Sequence, residues 1–369
     1  MADITLQGMT WNHARGYDPM VATSRVFGQR HPGVTITWHK RSLQAFADRP
    51  IADMAGEYDL MVIDHPHVGE AARSGMLLAL DGQGRDAELA DMSAHSVGDS
   101  HSSYRMDGHQ WALAIDAATP VAAWRPDLLE EAPRRWSQVL ELARVNKVAF
   151  ALVPINALMT FMGMARNLNM PLAGQEFIAP EHGRQVLELL REIVALMDPC
   201  CLEHDPIGIF DWMGNTADAP AYSPFGYGYT NYSRDGYCAH PLNFCDAPGI
   251  EREDPSGTVL GGTGIAISSA CPHPRLALDY AFWIAGASCQ KGLFFDHGGQ
   301  PAHAAAWQSD RCNALTRNFF FNTRRTMDTS WVRPRYAGYM GFQARAGDLV
   351  HACLAGQQGI KKTLQLLEH

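Results

Sequence analysis

Residues 58–81 read YDLMVIDHPHVGEAARSGMLLALD and combine a strand pattern with a helix pattern. The consecutive apolar residues 60–63 predict a strand that is buried on both faces, as in a parallel sheet. A polar turn at 64–67 follows, and 68–75 predict a short helix. A core strand that ends in an acid and two histidines is compatible with an active site, a metal site or the wall of a binding cleft.

The rest of the chain repeats the alternation of strands and helices. Strands are predicted at 4–9, 34–38, 60–63, 108–116, 121–125, 148–153 and 260–267, and helices at 19–29, near 43–58, and at 68–75, 134–146 and 274–288, with a mainly helical stretch at 157–197. This order predicts a parallel sheet with right-handed crossovers. Ligands of such sheets bind beyond the carboxyl ends of the strands, here the polar segments 10–17, 39–42 and 64–67.

Composition excludes several classes of function. The 369 residues suit two compact lobes. The net charge of -9 argues against a nucleic-acid partner, because phosphate binding needs a basic face. No apolar run approaches the ~18 residues that membrane insertion needs. The eight cysteines include no CxxC pair, so a structural zinc site is not expected. Cys238 and Cys245 could form a bridge in an oxidising compartment, but reduced thiols are the simpler expectation and favour a reducing location.

Five stretches, in this order, resemble bacterial family 1 extracellular solute-binding proteins of carbohydrate-type ABC transporters. The first four are ITLQGMTW ending at Trp11, the HPGV segment 31–38, residues 58–81, and 108–136 with its WALAI strand and Trp136. The fifth and most specific is LGGTGIAISSACPHPRLALDYAFWIAGASCQKGLFFDHGGQPAH, at 260–303.

The resemblance implies an α/β, two-lobed periplasmic-binding-protein-like fold (type II). Each lobe is expected to be a mainly parallel sheet flanked by helices, with a ligand cleft between the lobes and hinge closure as the working motion. The expected N-terminal lobe comprises residues 1–117 and 262–310, and the C-terminal lobe 118–261 and 311–369. We expect a monomer.

Candidate ligand contacts of the first lobe follow its strands. Trp11 could stack on a sugar ring or could be a core residue. His13, Arg15 and Tyr17 lie on what is predicted to be a loop, where they could donate hydrogen bonds to ligand or could be solvated. Arg41, beside Lys40, could clamp an anionic group or could be part of a basic surface pair.

His65 and His67 could contact ligand through neutral imidazole or could be structural, and Asp64 beside them is a further candidate contact. A metal is not expected there, because alternate residues of an extended turn point to opposite sides. We also expect replacement of Trp11 or His65 by Ala to weaken binding with little change in melting point.

Further candidates come from the crossing strands and the second lobe. YSPFGYGYTNY at 222–232 predicts a loop that displays aromatic faces and hydroxyls, or one that packs against its own lobe. Its candidates are Tyr222, Tyr227 and Tyr229, with Trp212 upstream. The resemblance adds Gly262, Thr263 and Gln300 as cleft contacts, and Asp116 lies across the expected cleft.

The resulting hypothesis is a solute-binding protein that captures a carbohydrate, polyol or sugar acid for uptake through ABC-transporter membrane subunits. No catalytic residue and no cofactor are assigned, because GxSxG, HExxH and Walker sequences are absent from the sequence. The alternative is a cytoplasmic enzyme or ligand sensor that uses the His and Asp residues of the cleft. Residues 1–3 lead directly into a strand without a signal-peptide pattern. The expected location is therefore periplasmic or extracytoplasmic if a leader was removed, and cytoplasmic if Met1 is the native start.

Overall fold

The computed structural model describes residues 3–42, 51–174 and 176–368, with the side chains at 51 and 52 outside the description. The chain forms two compact units. Unit 1 comprises Met1–Ala118, Gly261–Cys312 and Arg335–Met340, and unit 2 comprises Thr119–Leu260, Asn313–Pro334 and Gly341–His369.

The first passage of the chain builds most of unit 1. Its elements are β1 (Ile4–Trp11), α1 (Ala14–Arg30), β2 (Val34–Arg41), α2 (Ile51–Ala55), β3 (Leu60–Ile63), α3 (Val68–Ser74), α4 (Asp86–Ala94), β4 (Arg105–Met106), β5 (His109–Gln110) and β6 (Leu113–Ala118). Residues 43–50 of the helix predicted near 43–58 lie outside the described residues.

The second passage builds unit 2. Its elements are β7 (Pro120–Trp124), α5 (Trp136–Ala143), α6 (Pro154–Asn167), α7 (Pro180–Val194), α8 (Pro206–Asn215), β8 (Tyr222–Tyr227) and β9 (Asn243–Cys245).

The remainder of the chain contributes elements to both units. Its elements are β10 (Gly261–Ile267), α9 (Pro274–Ala285), α10 (Ala287–Cys289), α11 (Ala304–Trp307), α12 (Asp310–Ala314), α13 (Phe319–Asn322), α14 (Arg324–Asp328), α15 (Tyr339–Leu354) and α16 (Ile360–Leu367).

Unit 1 is organised around a five-stranded sheet in the order β2-β1-β3-β10-β6. β1 is parallel to both β2 and β3, whereas β10 is antiparallel to β3 and β6. All four residues of β3 are buried, as the continuous apolar run predicts. The carboxyl ends of β1, β2, β3 and β6 therefore meet at one edge of the sheet, together with the first residues of β10.

Helix α1 begins five residues before its predicted start at residue 19. His13 caps the helix, because its Nδ1 accepts a hydrogen bond from the amide of Arg15 at 3.0 Å. Pro19 consequently lies inside the helix. The predicted start at this proline was wrong, although proline is favoured in a first helical turn. The segment that was predicted to be a loop, 13–17, is thus the start of a helix.

The sheet of unit 2 differs from the mainly parallel sheet that was expected. Its three strands, in the order β8-β7-β9, are paired antiparallel. The strand predicted at 148–153 is reduced to a single parallel bridge between Val148 and Tyr222. β8 itself was predicted to be a loop, since its glycine, proline and tyrosine residues do not form an alternating apolar pattern.

The C-terminal lobe was expected to include all of 311–369, but residues 335–340 belong to unit 1. Nη1 of Arg335 donates to the main-chain oxygens of Ser102, Ser103 and Arg105, which fastens this segment to unit 1. All eight cysteines are free thiols, so the bridge considered between Cys238 and Cys245 is not formed. Within the described residues, no helix combines the length and the apolar character that crossing a bilayer requires.

Candidate functional site

Most of the predicted contacts of unit 1 lie at the edge of the five-stranded sheet where the carboxyl ends of β1, β2, β3 and β6 meet. Arg41 on β2 lies opposite Trp11 on β1, and Thr263 on β10 lies opposite Asp116 on β6. Because Ile63 pairs with Gly264, Asp64 follows at the level of Thr263. We call the residues at this edge the polar row; they are Trp11, Arg41, Asp64, Asp116, Gly262 and Thr263.

A buried ion pair crosses the polar row. Nε of Arg15 donates to Oδ2 of Asp116 at 2.7 Å, and Nη2 donates to Oδ1 of the same carboxylate. The side chains of Arg15 and Asp116 are 4% and 1% exposed. Burial raises the pKa of Asp116, and the adjacent guanidinium opposes that shift. The fork geometry fixes the carboxylate in one orientation.

The turn between β1 and α1 positions Arg15. The hydroxyl of Thr10 donates to the carbonyl of Gly16 at 2.8 Å. The ring of Trp11 lies where a Cβ on Gly16 would be, so the turn requires glycine at that position. Burial, reinforced by the charge of Arg15, lowers the pKa of the capping His13 to about 4. His13 is therefore neutral at physiological pH.

The aromatic and basic candidates are held by neighbouring side chains. Trp11 is 5% exposed and belongs to the core of unit 1. Nη2 of Arg41 donates to Glu57 and to the hydroxyl of Tyr58, each at 3.3 Å. Nζ of Lys40 lies 4.5 Å from the centre of the Tyr17 ring. Arg41 is half-buried, and its guanidinium is already paired with the carboxylate of Glu57.

The turn after β3 is a 3-10 helix, His65–His67, and not the extended turn on which the argument against a shared metal rested. His65 and His67 are 0% and 2% exposed. The ring of His65 meets that of Tyr104 edge-on, with the centroids 6.3 Å apart. Asp64 precedes this turn and is half-buried.

This burial overturns the expectation that Trp11→Ala and His65→Ala would leave stability unchanged. Both side chains are enclosed by unit 1, and removal of a buried tryptophan typically costs about 3–5 kcal/mol. Neither substitution therefore isolates a contact with ligand from a contribution to folding.

The start of β10 contributes polar groups of a different kind. Gly262 has a φ of +87°, which a residue with a side chain adopts only under strain. Within the described part of the chain, the hydroxyl of Thr263 is buried and has no hydrogen-bond partner. Nε2 of Gln300 donates to the main-chain oxygen of Ala117 at 2.9 Å and so joins the 298–301 turn to β6.

The tyrosine-rich candidates belong to unit 2. Tyr222 is fully buried in β8 and donates to the carbonyl of Pro133, so it does not display its hydroxyl as predicted. Tyr227 is half-buried and donates to the carbonyl of Val259 at 3.1 Å. Tyr229 is 6% exposed, and Trp212 is half-buried on α8. Tyr222 therefore packs within its own unit, which is the alternative that the sequence left open.

Two features were not predicted from the sequence. Arg15 was considered as a donor to ligand or as a solvated loop residue, and its pairing with Asp116 was not foreseen. Asn231 is 3% exposed, and its Oδ1 has no partner among the described residues. It lies inside the 222–232 stretch that was singled out for its tyrosines, so a count of hydrogen-bonding side chains there could have identified it.

Comparisons with known proteins agree with this architecture. Residues 24–316 match the model of the bacterial extracellular solute-binding protein family. Maltose-bound MalE3 of T. maritima is similar in structure, with a TM-score of 0.84 and 13% identity over 99% of this chain and 98% of that chain. A solute-binding protein of an ABC transporter from Agrobacterium radiobacter K84, in complex with ribitol, gives a TM-score of 0.80 and 20% identity over 100% and 98%.

A third similar structure is a solute-binding protein of an ABC transporter from Agrobacterium vitis S4 with bound D-mannitol. Its TM-score is 0.77, with 15% sequence identity over 99% of this chain and 96% of that chain. At these identities the likeness shows the fold alone, and it confirms the predicted α/β, periplasmic-binding-protein-like class. Comparison with curated proteins gives no match. The matching family is one of binding proteins and not of enzymes. The family match covers most of the chain, and the chain therefore belongs to the bacterial extracellular solute-binding proteins.

Proposed function

We propose that this protein binds a small neutral polyol or sugar through the polar row and delivers it to the membrane subunits of an ABC transporter. The observation that carries the proposal is the buried hydroxyl of Thr263, which has no hydrogen-bond partner in the described ranges and lies beside a carboxylate that Arg15 holds in place. A hydroxyl and an oriented carboxylate together offer a donor and acceptors, which is what a ligand rich in hydroxyl groups requires.

The charges in the polar row and on the adjacent Arg15 favour a neutral ligand over the sugar acids that were also considered. Arg15 is neutralised by Asp116, and Arg41 is paired with Glu57. An anionic ligand would have to compete with one of these carboxylates for its guanidinium. A neutral ligand leaves both pairs intact.

Several proteins of similar structure were solved with ligands of this kind. Their bound molecules include ribitol, D-mannitol and alpha-D-tagatose. The shared fold and family make these molecules reasonable probes for this chain. The family description also supports a location outside the cytoplasmic membrane.

The experiment is isothermal titration calorimetry with ribitol, mannitol, tagatose and maltose, and with ribonate as the charged counterpart of ribitol. We expect at least one neutral compound to bind and ribonate to bind more weakly than ribitol. Thr263→Val keeps the shape of the side chain and removes its hydroxyl. Loss of this one hydrogen bond should weaken the best neutral ligand by ~10-fold, equivalent to about 1.4 kcal/mol.

Thr119→Val is the matched control. The hydroxyl of Thr119 already bonds to that of Thr258 at 2.8 Å, so this variant should lose stability and keep its ligand affinity. Preferential binding of ribonate would contradict the proposal that the ligand is neutral. Equal affinity of Thr263→Val and the wild type would show that the hydroxyl of Thr263 does not contact the ligand.

A further inference from the structure

We propose that unit 1 carries a second site, for a divalent transition-metal ion such as Zn²⁺, formed by Asp91, His95 and His303. Each of these side chains offers one ligand atom, and the three atoms lie within 4.8 Å of one another. Two imidazoles and one carboxylate form a donor set of the kind that binds zinc, with a further position left for water. None of these three residues belongs to the polar row, although Asp116 of that row forms a bridge with Pro301, two residues before His303.

The backbone brings the three residues together. Asp91 lies on α4 one turn before His95, so their side chains occupy the same face of the helix. The amide of Ala304 donates to the carbonyl of His95 at 2.7 Å, and Ser96 forms a bridge with His303. The rings of His95 and His303 are consequently parallel within 7°, with the centroids 5.6 Å apart.

His95 has the hydrogen bond that a metal-binding histidine uses. Its Nδ1 lies 2.9 Å from the carbonyl oxygen of Asp91 and 3.0 Å from Oδ1 of the same residue, which leaves Oδ2 of Asp91 for an ion. Donation by Nδ1 leaves the lone pair of Nε2 available for an ion, and it fixes the orientation of the ring. Both His95 and Asp91 are exposed, so an ion can reach them from solvent.

His303 supplies the independent observation. It is 6% exposed, and its Nε2 has no hydrogen-bond partner among the described residues. Buried ring nitrogens normally have a hydrogen-bond partner, and the described residues provide none for this atom. Coordination of an ion that is also held by His95 and Asp91 would supply one.

Metal binding should change how His303 caps the following helix. Nδ1 of His303 accepts from the amide of Ala305 at 3.1 Å, which requires the proton of the neutral ring to be on Nε2. Coordination through Nε2 requires that proton to be on Nδ1, and a protonated Nδ1 cannot accept from Ala305. The cap of α11 and the metal bond are therefore alternative states of one ring.

The test uses the full chain, freed of metal with a chelator and titrated with Zn²⁺ by calorimetry. His95→Ala and Asp91→Asn should each weaken the site by at least ~10-fold. His109→Ala is the matched control, because His109 is also exposed and lies 2.8 Å from an aspartate, Asp81. This control should bind as the wild type does.

Two spectroscopic measurements separate this site from binding by the eight thiols. Substitution with Co²⁺ should give a spectrum without thiolate charge-transfer bands. The amide of Ala305 should shift in NMR spectra and exchange faster when Zn²⁺ is added. Absence of Zn²⁺ binding, equal affinity with and without His95, or strong thiolate bands would overturn the proposal.

Discussion

Arg15 and Asp116 are 101 positions apart in sequence and form a buried, bidentate ion pair. The sequence could identify both as polar residues near strand ends, but it could not pair them. Pairing depends on where α1 begins and on which strand lies opposite, and neither follows from local pattern. The same is true of Thr263, whose hydroxyl is significant because it is buried and no group in the described part of the chain bonds to it.

Arg15→Met is predicted to destabilise unit 1 strongly. It leaves the carboxylate of Asp116 buried without its cation, and loss of one partner of a buried pair typically costs about 3–5 kcal/mol. The pKa of Asp116 should then rise further, so that the folded state binds a proton that the unfolded state releases. The loss should therefore be smaller at low pH and grow as the pH rises above ~4.

Urea unfolding at several pH values measures this effect. Adding Asp116→Asn to Arg15→Met should restore part of the stability, because it removes the unpaired charge. Arg311→Met is the exposed control; its pair with Asp296 has side chains 55% and 40% exposed and should contribute at most ~1 kcal/mol. Equal losses at the two positions would refute a special role for the buried pair.

His13→Asn is predicted to flatten the dependence of stability on pH. The pKa of His13 falls from its ordinary value of 6.5 to about 4 on folding, chiefly through burial. The folded state thus binds fewer protons in this interval, and stability falls as the pH decreases from about 6.5 towards about 4. Asparagine also caps helices but does not titrate.

The difference in unfolding free energy between wild type and His13→Asn, measured by urea titration across this interval, isolates the contribution of His13. Its slope should not exceed ~1.4 kcal/mol per pH unit, the value for one proton. Part of the wild-type slope should remain in the variant, because burial also lowers the pKa of His101 to about 4. Identical slopes would mean that His13 titrates normally.

The elements of the chain were predictable in proportion to how regular their patterns are. β3 and β10 follow from continuous apolar or glycine-rich runs, and both are present. β8 was missed because Tyr222, Pro224 and Gly226 do not read as a strand. The antiparallel pairing of unit 2 was missed as well, since pairing direction depends on contacts distant in sequence.

Gly262→Ala and Gly341→Ala are predicted to have opposite effects on the elements that contain them. A Cβ at Gly262 would collide with the main-chain oxygen of Asp116, and φ is +87° there. The substitution should destabilise β10 by about 1–3 kcal/mol and disturb the polar row. Gly341 lies near the start of α15 with open space around it, so alanine should stabilise that helix by about 0.5–1 kcal/mol.

Urea denaturation of both variants, with calorimetric titration of the ligand that binds best, provides the measurement. Only Gly262→Ala should lose affinity. A stable Gly262→Ala variant with unchanged affinity would show that the backbone at the start of β10 tolerates rearrangement.

For the whole molecule, the order of segments carried more information than any single motif. Five weak stretches in sequence order indicated the family and the fold class, both of which are confirmed. The local sequence could not predict that residues 335–340 belong to unit 1. Their place there depends on hydrogen bonds from Arg335 to main-chain carbonyl groups at 102–105, which are distant in sequence. Long-range hydrogen bonds of this kind are set by the assembled fold.

The last prediction concerns the stability of the molecule in the presence of ligand. A ligand that binds only the folded chain adds stability by mass action, about 2.7 kcal/mol at a free concentration 100 times its Kd and about 1.4 kcal/mol for each further tenfold. Urea unfolding at a series of ribitol or mannitol concentrations should follow this logarithmic law with the calorimetric Kd. Thr263→Val should follow the same curve displaced to higher concentration, since it changes the Kd and not the number of sites. Stabilisation that grows linearly with polyol concentration, with no dependence on Thr263, would instead indicate a general solvent effect and would count against specific capture.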